Sequence, residues 1–134
     1  MVSFNVGTSK VAAEGIFTSL HGKGRACWVC TKCIPVGVEW RTAIQKAVVD
    51  ADVYVCLINR RWVDSKECQH ETNMAINLHL HKGRPHFIPV VLPDMHNSLF
   101  EGVMLSVSSN HKLLMVDSND DAVILKHVMN ALGY

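Results

Sequence analysis

Apolar residues along this chain follow two alternating rhythms. Short runs with strand character, 2–6 (VSFNV), 26–30 (ACWVC), 53–58 (VYVCLI), 86–91 (HFIPVV) and 112–116 (KLLMV), are separated by longer stretches whose apolar residues recur every three or four positions. Ser9 is a helix cap before Ala13, Ile16, Phe17 and Leu20, and Gly22 closes that helix. Trp40, Ala43, Ile44, Ala47 and Val48 fall at i, i+3, i+4, i+7 and i+8, which predicts a strongly amphipathic helix with Trp40 on its apolar stripe. The segment DSKECQHETNMA (64–75) opens another helix, with Asp64 and Glu67 spaced as a capping box. A last helix runs over 120–132 and ends at Gly133, and the mixed stretch 93–110 is loop with room for a short helix.

The run 53–58 is apolar on both alternating faces, as expected of a central parallel strand covered by helices on either side. Strands and helices alternating in this way predict an α/β, flavodoxin-like fold. Its doubly wound parallel sheet has five strands in the order 2-1-3-4-5, flanked by helices. Ligands of such sheets bind beyond the carboxyl ends of the strands, between the first and third. That crevice is lined by Gly7, Thr8 and Ser9, by the 31–40 loop and by the helix that begins near residue 65. On this helix Cys68, Thr72, Ala75 and Ile76 form the inward stripe, and Glu71 stands roughly 60° from Cys68 at its edge. Capping does not need this third carboxylate. The bland reading is a surface acid favoured by the helix dipole; the sharp one is a functional group in the crevice.

Composition narrows the classes. A chain of 134 residues, 49% hydrophobic, fits one domain over 1–134 with a sizeable core. A net charge of +1, with no basic run longer than Arg60-Arg61, gives no electrostatic footprint for nucleic acid. The absence of a signal-like start and of any long apolar run predicts a soluble, cytoplasmic domain without membrane contact. Five cysteines, all within 27–68, fit reduced thiols. Cys27, Cys30 and Cys33 invite a metal reading, but a strand sends the first two to opposite faces and no fourth cysteine is near, so no metal is expected. His79 and His81, two apart, diverge by about 200° and read as surface histidines at a helix end. Asn59 stands where a phosphoacceptor receiver needs aspartate, and GTSK (7–10) is too poor in hydroxyls for a flavin phosphate loop.

Ser65, Cys68 and Glu71 have the S-x-x-C-x-x-E spacing found at the start of the third helix in Toll/interleukin-1 receptor (TIR) domains. Pro35, Trp40, Ala43, Ile44 and Ala47 match the family's second loop and helix, and ADVYVCLIN and FIPVV its central and fourth strands. The chain resembles a TIR domain over nearly its whole length. The resemblance implies one of two functions. Some TIR domains cleave the nicotinamide–ribose bond of NAD⁺ with the glutamate at the position of Glu71, giving nicotinamide and ADP-ribose or a cyclic product in innate immune or cell-death signalling. Others are non-catalytic scaffolds that signal by binding further TIR domains. Catalytic relatives often carry an aromatic and a basic residue where this chain has Gly7, Thr8 and Ser9. The vertebrate Toll-receptor adaptor it resembles at SKEC has glutamine in place of Glu71, and the Phe-Trp pair of receptor-type members is missing from the last helix. The balance favours an NAD⁺ nucleosidase with Glu71 catalytic, NAD⁺ as substrate and no permanently bound cofactor.

Nicotinamide leaves as a neutral molecule, so the reaction needs no second carboxyl as general acid. One carboxylate suffices to hold the ribose hydroxyls and stabilise the developing cation. Expected NAD⁺ contacts are the N–H groups of Thr8, Ser9 and Lys10 and the side chain of Arg60 or Arg61 for phosphate, Trp40 or Trp62 for stacking, and Gly7 and Cys68 on the crevice wall. By spacing alone Trp40 is first a core residue and Ser9 first a cap. The resemblance further implies assembly into a homo-oligomer or filament through the loop Cys33, Ile34, Pro35, Val36, Gly37 and Val38.

Overall fold

The computed structural model describes residues 1–5, 7–29, 36–99 and 103–134. Its elements are β1 (Val2–Ser3), α1 (Lys10–Gly22), α2 (Trp40–Asp50), β2 (Val53–Ile58), α3 (Arg60–Asp64), α4 (Lys66–Lys82) and β3 (His86–Val91). A 3-10 turn (Pro93–Met95), α5 (Val103–Asn110), β4 (Leu114–Met115) and α6 (Asp121–Ala131) complete the chain. The four described strands are all parallel and lie in the order β1-β2-β3-β4.

The expected strand over 26–30 is not among them, and Cys30 lies outside the described residues. Trp28 nevertheless accepts a hydrogen bond from the Val2 amide at 3.1 Å. Residues 26–29 therefore run along the outer edge of β1, the place the order 2-1-3-4-5 gives them, without forming a regular ladder there.

Alternation along the central strands sorts the core into two layers. Val55 and Leu57 of β2 join Ile88 and Val90 of β3 against Ala12, Ala13 and Ile16 of α1 and Ile124 and Val128 of α6. Tyr54, Cys56 and Ile58 point the other way, to Trp62 of α3, Cys68, Ala75 and Ile76 of α4, and Met104 and Val107 of α5. Both faces of β2 are thus covered, as its uninterrupted apolar run requires. No helix among the described residues is long and apolar enough to cross a membrane.

Local chemistry moved two helix starts. Asn59 takes the cap of α3, its Oδ1 accepting from the Trp62 amide at 2.8 Å, so Asp64 ends that short helix and does not cap the next. Ser65 caps α4 instead, accepting from the Cys68 amide at 3.3 Å. Glu67 then stands at the second helical position, too early for a capping box. Ser9 occupies the N-cap of α1 but makes no capping bond there. His79 is also no plain surface residue: its Nδ1 lies 2.9 Å from the Pro85 carbonyl and its ring meets His111 edge-on at 5.3 Å.

Candidate active site

Val2 and Phe4 send their side chains into the layer beneath α1 and α6. Alternation turns Ser3 toward the opposite layer, where α4 crosses the sheet. Ser3 is 2% exposed and Glu71 8%. The Ser3 hydroxyl donates to Glu71 Oε1, and the Trp62 indole N–H donates to Ser3 Oγ at 3.0 Å. The Tyr54 hydroxyl stands 3.5 Å from Thr72 Oγ1 in the same buried patch.

These surroundings fix the ionisation of Glu71. Burial pushes its pKa up from 4.5 to about 7, hydrogen bonds from Ser3 and Tyr54 pull against that rise, and the negative charge of Glu67 adds to it. The Tyr54 phenol and the Cys56 thiol are raised well above their ordinary values, first by burial and then by the Glu71 charge. Glu71 is therefore an acidic group poised to change charge near neutrality, beside a phenol and a thiol that stay neutral there.

Its carboxyl opens onto two hollows. One, of about 430 Å³, is walled by Phe4, Asn5 and Gly7 after β1, by Trp28, by Trp40 and Ile44 of α2, and by Ser65, Glu67 and Cys68 at the start of α4. The other, of about 350 Å³, shares Trp40, Ile44, Glu67 and Glu71 with the first and adds Arg41, Lys66, His70 and Met74. Glu71 sits where they meet, in a cleft that is apolar on one side and carries cationic side chains on the other.

Of the residues expected around a ligand, Gly7, Trp40 and Cys68 line this cleft with Glu71. Trp40, 43% exposed, is at the cleft mouth and not in the core, because it is the first residue of α2 and packs on one side only. The Thr8 and Ser9 amides are not free for phosphate: both donate to the Asn5 carbonyl, at 3.1 and 2.9 Å. Their hydroxyls accept from Asn59 Nδ2 at 2.9 and 3.3 Å, tying the end of β2 to the loop after β1. Lys10 is exposed and does not line the cleft. Arg60 turns away, its amide donating to Asp94 and its guanidinium to Ser98. Arg61 is exposed outside both hollows. Trp62 is fully buried and so offers no face for stacking; its contribution is the N–H that reaches Ser3.

Cys33, Ile34 and Pro35 of the expected assembly loop lie outside the described residues. Beyond them Val36 is fully exposed, Gly37 has φ +86, and Val38 is exposed on the way to Trp40. No group of three or more potential metal ligands occurs among the described residues. Sequence reasoning missed Ser3, Tyr54 and Trp28. Ser3 carried a signal, a small polar residue between Val2 and Phe4 in a strand destined for burial.

A parallel sheet with a carboxylate cleft at the end of its first strand, beneath the helix after its central strand, defines an α/β protein of the TIR class. The sequence model of the TIR domain matches residues 1–124, and the chain belongs to the TIR domain family. No curated protein matches the sequence significantly. Among solved structures, the TIR domains in the structure of the activated Roq1 resistosome directly recognising the pathogen effector XopQ share the fold. The TM-score is 0.78 over 98% of this chain and 96% of that one, at 15% identity.

Proposed function

We propose that this TIR domain is an NAD⁺ nucleosidase acting in cytoplasmic immune or cell-death signalling, with Glu71 as its catalytic residue. The observation that carries the reading is the placement of Glu71: a buried carboxylate, held from behind by Ser3 and open in front to a cleft. Cleavage breaks the bond between ribose C1′ and the pyridinium nitrogen, and the electron pair leaves with neutral nicotinamide. Water adds to the ribosyl cation and loses a proton, giving ADP-ribose; attack by a nitrogen of the adenine base gives a cyclic product instead. Glu71 holds the ribose hydroxyls and faces the developing positive charge in a partly dehydrated cleft, where such stabilisation is worth several kcal/mol. The cations at one side, Arg41 and Lys66, suit the diphosphate better than the engaged amides of Thr8 and Ser9. Trp40 offers a flat apolar face at the cleft mouth.

Assembly with other copies of the domain belongs to the same proposal. The exposed Val36 and Val38, flanking a glycine in the left-handed region, form an apolar tip open to solvent. The likeness to TIR domains in an activated resistosome supports an assembled state. This tip also favours the second reading, a scaffold that joins TIR domains without chemistry. Chromatographic assay of nicotinamide release from NAD⁺ separates the two: wild type releases it and Glu71→Gln, folded, does not. Equal release from both refutes Glu71 as the catalytic residue, and none from assembled wild type refutes the enzyme.

A further inference from the structure

Glu71 is gripped from behind, and the direction of the grip is fixed by what each group can do. An indole N–H donates and never accepts. With Trp62 Nε1 3.0 Å from Ser3 Oγ, the serine oxygen is the acceptor there, and its own proton is directed to Glu71 Oε1. Trp62 is 0% and Ser3 2% exposed, so neither partner is exchanged for bulk water without opening the core. A hydroxyl obliged to donate stabilises the carboxylate over the acid and opposes burial.

Of the other groups around Glu71, the Tyr54 hydroxyl acts in the same sense but less strongly. Tyr54 and Cys56 approach from β2, Glu67, Cys68 and His70 lie on α4 itself, Lys66 stands at its start and Arg41 comes from α2. Glu67 works in the opposite sense, and the Tyr54 hydroxyl, shared with Ser3 and Thr72, is not set in one direction by an indole N–H as Ser3 is.

We propose that Ser3, oriented by Trp62, is a positioning residue for Glu71: it commits one carboxyl oxygen inward, leaves the other to the cleft, and favours the charged form of the group. The consequence for NAD⁺ cleavage rests on the function proposed above; the effect on Glu71 itself does not.

The test is titration of the Glu71 carboxyl carbon by NMR in protein labelled at glutamate, the resonance being assigned by its loss in Glu71→Gln. In Ser3→Ala the midpoint moves up by about one unit, the size of one hydrogen bond to a charged group. Ser3→Thr, which keeps the hydroxyl, returns it to the wild-type value. Trp62→Phe keeps an aromatic ring but removes the N–H, which frees Ser3 to accept from Glu71, and shifts the midpoint the same way by less. An unmoved or lowered midpoint in Ser3→Ala overturns the proposal; should that variant not fold, an unmoved midpoint in Trp62→Phe does so. In parallel, the acid limb of nicotinamide release shifts with the titration in Ser3→Ala, with kcat reduced at pH 7 and recovered at higher pH. Shifted titrations without release from wild type support the grip and refute the enzyme reading; release with unshifted titrations does the reverse.

Discussion

A carboxylate held at about pH 7 by burial costs the fold something, and the cost has a definite sign. Below pH 4.5 Glu71 is protonated in both folded and unfolded chains. Between 4.5 and about 7 the unfolded chain gives up the proton while the folded one keeps it, so stability falls as pH rises through that window and levels off above it. The full difference is about 3 kcal/mol. Glu71→Gln, which removes the ionisation and keeps the shape, is therefore expected to melt above wild type at pH 8 and close to it at pH 4.5; thermal unfolding at the two values checks this. The same titration governs chemistry in the opposite direction. If the carboxylate is the active form, nicotinamide release falls about tenfold per unit below pH 7. A group that destabilises the fold where it is active fits a residue retained for function. The spacing of the helix placed Glu71 at the edge of its stripe, but its burial depends on tertiary neighbours such as Ser3, which is 68 residues away in sequence.

Among the elements, the start of α4 sets where Glu71 lands. Ser65 caps it, so Ser65→Ala is expected to cost about 1 kcal/mol, while Asp64→Ala costs little because Asp64 belongs to the end of α3. Chemical denaturation of the two variants distinguishes them. The alternating apolar runs made the central strands and the helices legible, since β2 and β3 have the residues 53–58 and 86–91 that their apolar patterns mark. The edges were less legible. β1 and β4 are two residues each where five were expected, because regular pairing there depends on the neighbouring strand and not on the side chains of the run. The interruption at Asn59 was hidden for the same reason: it links Thr8, Ser9 and the Trp62 amide, partners from a distant loop and from its own helix. Asn59→Ala removes these bonds together and is expected to destabilise by about 2 kcal/mol, read from the same denaturation curves.

For the whole molecule, the cleft was half legible. Its glutamate and one wall, Gly7, Trp40 and Cys68, followed from the placement of elements and the TIR resemblance. The phosphate contacts did not, because backbone amides at a helix start look free in sequence, and here the Asn5 carbonyl takes two of them. Trp62 was equally opaque: periodicity does not tell a tryptophan that stacks on a ligand from one that fills the core and lends its N–H. At this scale the account also concerns association. Gly37, with φ +86, holds a conformation that side chains strain, so Gly37→Val is expected to reshape the exposed tip and weaken self-association, measured by sedimentation, while the fold is kept. The most direct test of the central claim is the rate of nicotinamide release per molecule across a protein concentration series with a crowding agent. The account predicts a rate per molecule that climbs as the domains assemble and is absent in folded Glu71→Ala; a wild type that demonstrably self-associates and releases no nicotinamide would contradict it.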